Sequence, residues 1–247
     1  MAINEFEFRY PIQVDTNMVN ENGHVKLASY QEIIMSVVER HLEKINLGVP
    51  YLIAQFNLSW VLMSMSLEIK KHMQSGETYY ATTWATHKKG IIYRREIIVR
   101  DKNDEVMFVA TTFSSVLDLK TRRLSLDKAF HNSVQFPDSE ELLSAESRIK
   151  LDGIEFEKVD TRKVYPSWID NVGHVNNMRY GELAYDALSD INIARIGELK
   201  RMEIYFVGEL RANKTFDMLS TSDDDNVLIK GMLEGEETPA FVVKCLF

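Results

Sequence analysis

The sequence predicts an α+β fold built twice, each copy a helix laid on an antiparallel sheet. Three observations carry that expectation. An apolar stripe at three- and four-residue steps marks a helix early in the chain, four strand-like runs follow it, and the same order of textures returns when the sequence is slid along itself by 150 residues. The length fits, because 247 residues at 45% apolar and 27% charged suit one large domain or two of about 120 residues and exclude a disordered or collagen-like chain.

Tyr30, Ile33, Ile34, Val37, Val38, His41, Leu42 and Ile45 form the helical stripe, and Gly48 with Pro50 ends it. Runs rich in Thr, Tyr, Ile and Val then predict strands over 60–69, 78–87, 91–100 and 106–117. Gly76-Glu77, Lys89-Gly90 and Lys102-Asn103-Asp104 are their turns. Residues 118–160 lose the rhythm and hold the linker, with a short surface helix starting at Pro137-Asp138-Ser139. A strand ending at Val164, a helix over about 176–190 and strands over 202–210, 215–220, 227–233 and 240–247 complete the second copy. Asp223-Asp224-Asp225-Asn226 is a hairpin turn, since it lacks the spaced ligands and closing Glu of a calcium loop. These textures divide the chain into residues 1–135, a linker over 136–155, and residues 156–247.

The repeat can be read residue by residue. Sliding by 150 lays the twelve residues from Asn22 over those from Val172, and Gly23, His24, Val25, Tyr30 and Glu32 find identical partners in Gly173, His174, Val175, Tyr180 and Glu182. Tyr10-Pro11 and Tyr165-Pro166 repeat as well, with five extra residues in the first copy.

Charge is unevenly shared. There are 16 basic and 15 acidic residues through Gln135, and 13 and 22 after it, so the net −8 belongs to the second half. No global field exists to hold a nucleic acid. The single Cys245 cannot form an internal disulfide, and the cytosol is the expected compartment. The N-terminus carries Glu5 and Glu7 where a signal peptide needs basic residues and an apolar run, and no window is apolar enough for a membrane span.

Gly-x-Ser-x-Gly, His-Glu-x-x-His, the phosphate-binding Gly-rich loop and Gly-x-Gly-x-x-Gly are all absent, which sets aside the enzyme classes that depend on them. What stands out is Trp168-Ile169-Asp170-Asn171-Val172-Gly173-His174-Val175-Asn176-Asn177, a turn leading into the second helix. Unpaired N–H groups at a helix start suit a developing oxyanion, and Asp170 lies close enough in sequence to act with His174. The bland alternative is a helix cap, a Gly turn and a half-buried histidine.

The Asp-x-x-Gly-His-Val-Asn-Asn stretch, with Tyr180 and Glu182 after it, resembles the active-site segment of hotdog-fold thioesterases. The tandem arrangement resembles the acyl-ACP thioesterase family of bacteria and plants. Trp60-Val61-Leu62, Leu67-Glu68-Ile69, Thr83-Trp84 and the stretch from Leu117 to Arg123 are similar to that family's N-terminal hotdog in order and spacing. The resemblance implies two tandem hotdog domains and hydrolysis of fatty acyl-ACP by water, without metal or cofactor. It carries the family's Asp and His onto Asp170 and His174, and its further acid onto Glu209 in Phe206-Val207-Gly208-Glu209, on a strand.

On this reading Glu209, with Asp170, holds and deprotonates water, His174 positions substrate or water, and the N–H groups near Val175 and Asn176 face the thioester oxygen. Two departures stand. Val172 occupies a position where the family often has Asn, and Leu210 follows Glu209 where plant members carry Cys. In the first copy Asn20 aligns with Asp170 and no equivalent of Glu209 is evident, so that half is expected to supply the acyl cavity, with Met35, Met63, Met65 and Phe113 as candidate lining. The implied partner, acyl carrier protein, is acidic, and Lys88-Lys89, Arg94-Arg95, Lys120 with Arg122-Arg123, Lys200-Arg201 and Arg211 are candidate landing charges. An acyl-CoA thioesterase, a hotdog dehydratase and a non-catalytic acyl-binding module are the competing readings. Monomer and homodimer both remain open.

Overall fold

The computed structural model describes residues 9–136 and 138–247. In chain order its elements are β1 (Arg9–Gln13), α1 (Leu27–Lys44), α2 (Val49–Phe56), β2 (Leu58–Ile69), β3 (Thr78–Lys89), β4 (Ile92–Arg100), β5 (Val106–Asp118), β6 (Arg123–Leu124), α3 (Lys128–Ser133), β7 (Glu157–Lys163), α4 (Arg179–Asp186), α5 (Asp190–Ala194), β8 (Arg201–Phe206), β9 (Thr215–Ser222), β10 (Asn226–Leu233) and β11 (Phe241–Leu246). The predicted meander strands fall where the runs rich in Thr, Tyr, Ile and Val place them. The expectations for Met1 to Phe8 and for Pro137 lie outside the described residues.

Both sheets join edge to edge. The order is β1-β3-β4-β5-β2-β8-β11-β10-β9-β7, antiparallel at every step, with β6 added beside β5. This order is a palindrome, in which β2 answers β8, β5 answers β11, and β1 answers β7. At the seam Ser66 pairs with Glu203, and a pseudo-two-fold axis through that pair maps any residue of β2 onto the one 137 positions later in β8. In the neighbouring strands the offset is 133: Ile69 pairs with Phe108, and its counterpart Phe206 pairs with Phe241.

Before the helices the offset is 150, as the sequence suggests. A 3-10 turn at Thr16–Met18 answers one at Pro166–Trp168, and the bridge Val19–Val25 answers Ile169–Val175. Gly23 and Gly173 both sit at positive φ, +79° and +91°, which an L side chain rarely adopts. The Tyr-Pro pair is not part of the repeat. Tyr10 lies within β1, whereas Tyr165 follows β7, and the true partners are Val14 and Val164, both fully buried.

Each helix presents a tyrosine edge-on to a sheet phenylalanine: Tyr30 to Phe108 at 5.5 Å, and Tyr180 to Phe241 at 4.8 Å. Between the helices the backbones nearly touch at Gly181, where a Cβ would stand 2.8 Å from Ala28 Cα. The buried Gln31 bridges them, accepting from the Gly181 N–H at 2.8 Å and donating to the Asn177 carbonyl. A single apolar core therefore runs through both halves.

Four local expectations are corrected. Pro50 does not only stop α1; it sits in the first turn of α2, where its missing N–H costs nothing. The second helix is shorter than 176–190, since α4 ends at Asp186 and Ser189 caps a separate α5. β8 ends at Phe206, short of Leu210. No helix forms at 138–141; this stretch instead crosses the sheet face away from α1, where the Leu142 N–H donates to Glu96 and the Leu143, Ser144 and Glu146 carbonyls accept from Arg94, Arg201 and Ser64. Among the described residues no helix is long and apolar enough to cross a membrane.

Candidate active site

The turn before α4 places Asp170 by its own backbone needs. Its Oδ1 accepts from the N–H groups of Val172 at 2.9 Å and His174 at 3.3 Å, and Gly173 turns the chain so that the His174 ring folds back over the carboxylate. His174 Nδ1 stands 3.8 Å from Asp170 Oδ1, an ion-pair separation too long for a direct hydrogen bond. Its Nε2 stands 3.2 Å from Glu209 Oε1. Glu209 lies on the connection after β8, not on the strand, and the Val207 and Gly208 N–H groups both donate to the Ala240 carbonyl to fix that bend. The three predicted residues thus meet, with the imidazole between the two carboxylates, all three half-buried.

A fourth member comes from the other half. Arg122, at φ +58° just beyond β5, donates from Nη2 to Glu209 Oε1 at 2.9 Å and lies 2.5 Å from His174 Nε2. Its Nη1 donates to the Val172 carbonyl at 3.3 Å. Sequence reading assigned Arg122 to a surface cluster, and only the chain's folding shows its reach.

Burial alone raises both carboxyls, but each is held below its ordinary range. For Asp170 the His174 ring and the two turn N–H groups outweigh burial. For Glu209 the hydrogen bonds from Arg211 and Arg122, with the electrostatic pull of His174 and Arg122, do so. Removing the Arg122 cation leaves burial less opposed, so the Glu209 carboxyl rises. In Arg122→Met the acidic limb of the kcat/KM profile is accordingly expected to move to higher pH, and a limb that does not move excludes ionised Glu209 from the rate-determining chemistry.

Val175 and Asn176 do line the site, but their N–H groups cannot face a substrate. The first donates to the Leu210 carbonyl at 2.9 Å and the second to Trp168 at 2.7 Å, closing the turn just as the Lys26 N–H closes its counterpart on Met18. Asn177 is the next residue. Among the described residues nothing engages its N–H or its side-chain amide, and it lines both cavities described next.

A cavity of about 230 Å³ runs from Asp170, Val172 and Asn177 into the first half, past Met35, Leu42, Trp60 and Ala85. A smaller one of about 150 Å³ adjoins it at His174 and Glu209 and shares Trp60, Leu62, Asp170, Val172 and Asn177. Of the proposed lining, Met35 is in place. Met65 is buried in the core, while Met63 and Phe113 are outside the cavity wall, Phe113 lying instead under the Arg94 guanidinium at 5.5 Å.

The first copy's corner repeats this architecture without its acids. Asn20 Oδ1 accepts from the Asn22 and His24 N–H groups, both at 3.0 Å, as Asp170 does. The 137-residue mapping identifies the missing counterpart of Glu209 as His72, whose ring meets His24 edge-on at 6.1 Å. Cys245 is buried, and burial pushes its thiol up to about 12, which rules it out as a nucleophile.

Several of the candidate landing charges are spent internally. Arg95 is buried, Arg94 pairs with Glu96 and Glu141, Lys88 donates to the His131 carbonyl, and Arg122 is in the site. Lys120 and Arg123 remain exposed beside it, as does Arg211 on the far side of Glu209.

The paired helix-on-sheet units, fused through β2 and β8 with a carboxylate–histidine–carboxylate corner, define a tandem hotdog protein. The model for the acyl-ACP thioesterase N-terminal domain matches residues 4–127 and that for the C-terminal domain matches residues 153–238. The chain belongs to the acyl-ACP thioesterase family. A chloroplast palmitoyl-acyl carrier protein thioesterase of Arabidopsis thaliana is 30% identical over 132 residues, which is 50% of this chain and 32% of that protein, so the match spans about a third of the relative's length. An acyl-ACP thioesterase from Bacteroides thetaiotaomicron superposes with a TM-score of 0.84 at 20% identity over 99% of this chain and 100% of that one. A 12:0-ACP thioesterase from Umbellularia californica superposes at 0.82 and 16% identity, over 97% and 96%. At those identities the likeness is one of fold.

Proposed function

We propose that this protein hydrolyses the thioester of a fatty acyl chain carried on an acyl carrier protein, releasing the free acid and so ending elongation. The observation that supports it most is His174 held between Asp170 and Glu209 in a small cavity that adjoins the one running into the other half. Water bound by Glu209 and Asp170 attacks the carbonyl carbon and gives its proton to a carboxylate. The carbon–sulfur bond then breaks, and the leaving thiolate takes a proton by way of His174. The oxyanion formed between these steps is met by Asn177, a neutral amide donor worth about 3 kcal/mol in such a role. Val175 and Asn176 contribute as walls of the substrate site.

In this reading residues 1–135 hold the acyl chain, 136–155 link, and 156–247 carry the chemistry. The first copy's Asn20, His24 and His72 offer no carboxylate for it. Lys120, Arg123 and Arg211 give the acidic carrier its landing charges at the mouth, and the buried, unpaired Cys245 fits a cytosolic setting. The pairing of sheets within one chain lets a monomer suffice.

Side-by-side turnover of matched acyl-ACP and acyl-CoA esters tests the proposal. Free thiol released faster from the ACP ester supports it. Faster release from CoA assigns an acyl-CoA thioesterase, an enoyl product without free thiol assigns a dehydratase, and tight binding without turnover assigns a binding module.

A further inference from the structure

One stretch of the cavity wall carries a buried charge. Arg95 projects from β4 on the same side as Ile97 and Val99, which pack in the core beneath α1, and it is only 6% exposed. It lines the cavity together with Ser59, Thr112 and Ser114. Its Nη1 lies 2.5 Å from His41 Nδ1 and 3.5 Å from Thr83 Oγ1, and among the described residues no carboxylate pairs with it. His41 cannot serve as its counterion, because burial and the neighbouring Arg95 and Lys44 charges push that ring down to about 3 and keep it neutral. Within the field of Arg95 the Tyr10 hydroxyl is buried with no hydrogen-bond partner among the described residues.

A buried charge without a partner is among the most costly features a core can carry, and a well-packed apolar side chain in its place is often neutral or stabilising. Purely to hold an alkyl chain, this wall would be better made with Met or Leu. An alkyl chain laid against Arg95 leaves the charge uncompensated, whereas a chain bearing an acceptor oxygen supplies the missing group.

We propose that Arg95 selects acyl chains carrying an acceptor oxygen, as a carboxylate, hydroxyl or ketone, on the part seated in the first half's cavity. This rests on the acyl-thioester reading above and names its substrate class. On α1, Gln31 holds Asn177 and His41 meets Arg95 ten residues further along, about 15 Å of helix, so the oxygen lies well away from the thioester and not beside it.

The probes are acyl-pantetheine amides, which cannot be hydrolysed, of one chain length: methyl-ended, carboxyl-ended and mid-chain hydroxylated, each titrated calorimetrically into the full chain. The better oxygenated probe is expected to bind about tenfold more tightly than the methyl-ended one, the size of one hydrogen bond to a charged group. Arg95→Met is expected to abolish or invert that ratio. Equal or tighter binding of the methyl-ended probe to the unmodified protein overturns the proposal, as does a ratio that survives Arg95→Met. Should that variant not fold, Arg95→Lys decides: a reduced carboxylate preference supports the assignment, and an unchanged one overturns it. Carboxyl and hydroxyl arms tell an anion from a neutral acceptor. Absence of turnover on the corresponding ACP thioesters, with the binding ratio intact, overturns hydrolysis and leaves the selectivity standing.

Discussion

Asp170→Asn is expected to lower thioester turnover by about two to four powers of ten, the usual worth of a positioned base, while leaving the melting temperature unchanged. The first copy shows why the fold should survive. Asn20 occupies the same turn, and its amide oxygen accepts the same two N–H groups that Asp170 accepts. What the substitution removes is the charge that faces His174 and the reacting water. His174→Ala is expected to cost as much, since it leaves the two carboxylates without the ring between them. Initial rates and thermal melts on the same preparations check both. Wild-type turnover in either variant would falsify the assignment of this corner as the site of hydrolysis.

Gly181→Val is expected to have the largest effect on stability. The added Cβ meets Ala28 Cα at 2.8 Å and Ala28 N at 2.9 Å, which are backbone atoms that cannot rotate aside, and Gln31 Oε1 at 2.8 Å. Relief requires α1 and α4 to separate and breaks the Gln31 bond to the Gly181 N–H, leaving a buried donor unpaired. Overpacking and the lost bond together cost about 3 kcal/mol, or roughly 10 °C in a chain of this length. Gln31 also holds the Asn177 carbonyl, so activity should fall with stability. Differential scanning calorimetry reads the first effect. An unshifted transition means that the helices have slack the geometry does not show.

The meander strands are legible because β-rich composition and turn residues are local signals, and Asp170, His174 and Glu209, named by resemblance, are brought together by the fold. Other features depend on distance along the chain. Arg122 meets Glu209 across 87 residues, and no local pattern marks such a reach. His72 is hidden for a different reason: α1 and α2 together hold 26 residues and α4 and α5 together hold 13, so the offset between the copies falls from 150 to 137 beyond the helices, and a search at one spacing passes over it. Sequence shows which N–H groups start a helix but not which carbonyls the preceding turn folds onto them, and those of Val175 and Asn176 are taken up by Leu210 and Trp168. Pro50 was read as a stop, although the same restricted backbone equally opens a helix.

The axis through Ser66 and Glu203 also bears on how such a protein can change over generations. In an assembly of two identical chains every substitution appears twice, so a mutation that benefits one pocket must be tolerated in its twin. Here the related corners are encoded separately, and a change can be tried in one without touching the other. Asn20 set against Asp170, and His72 against Glu209, show that independence: of two corners built on one plan, one holds both acids and the other neither.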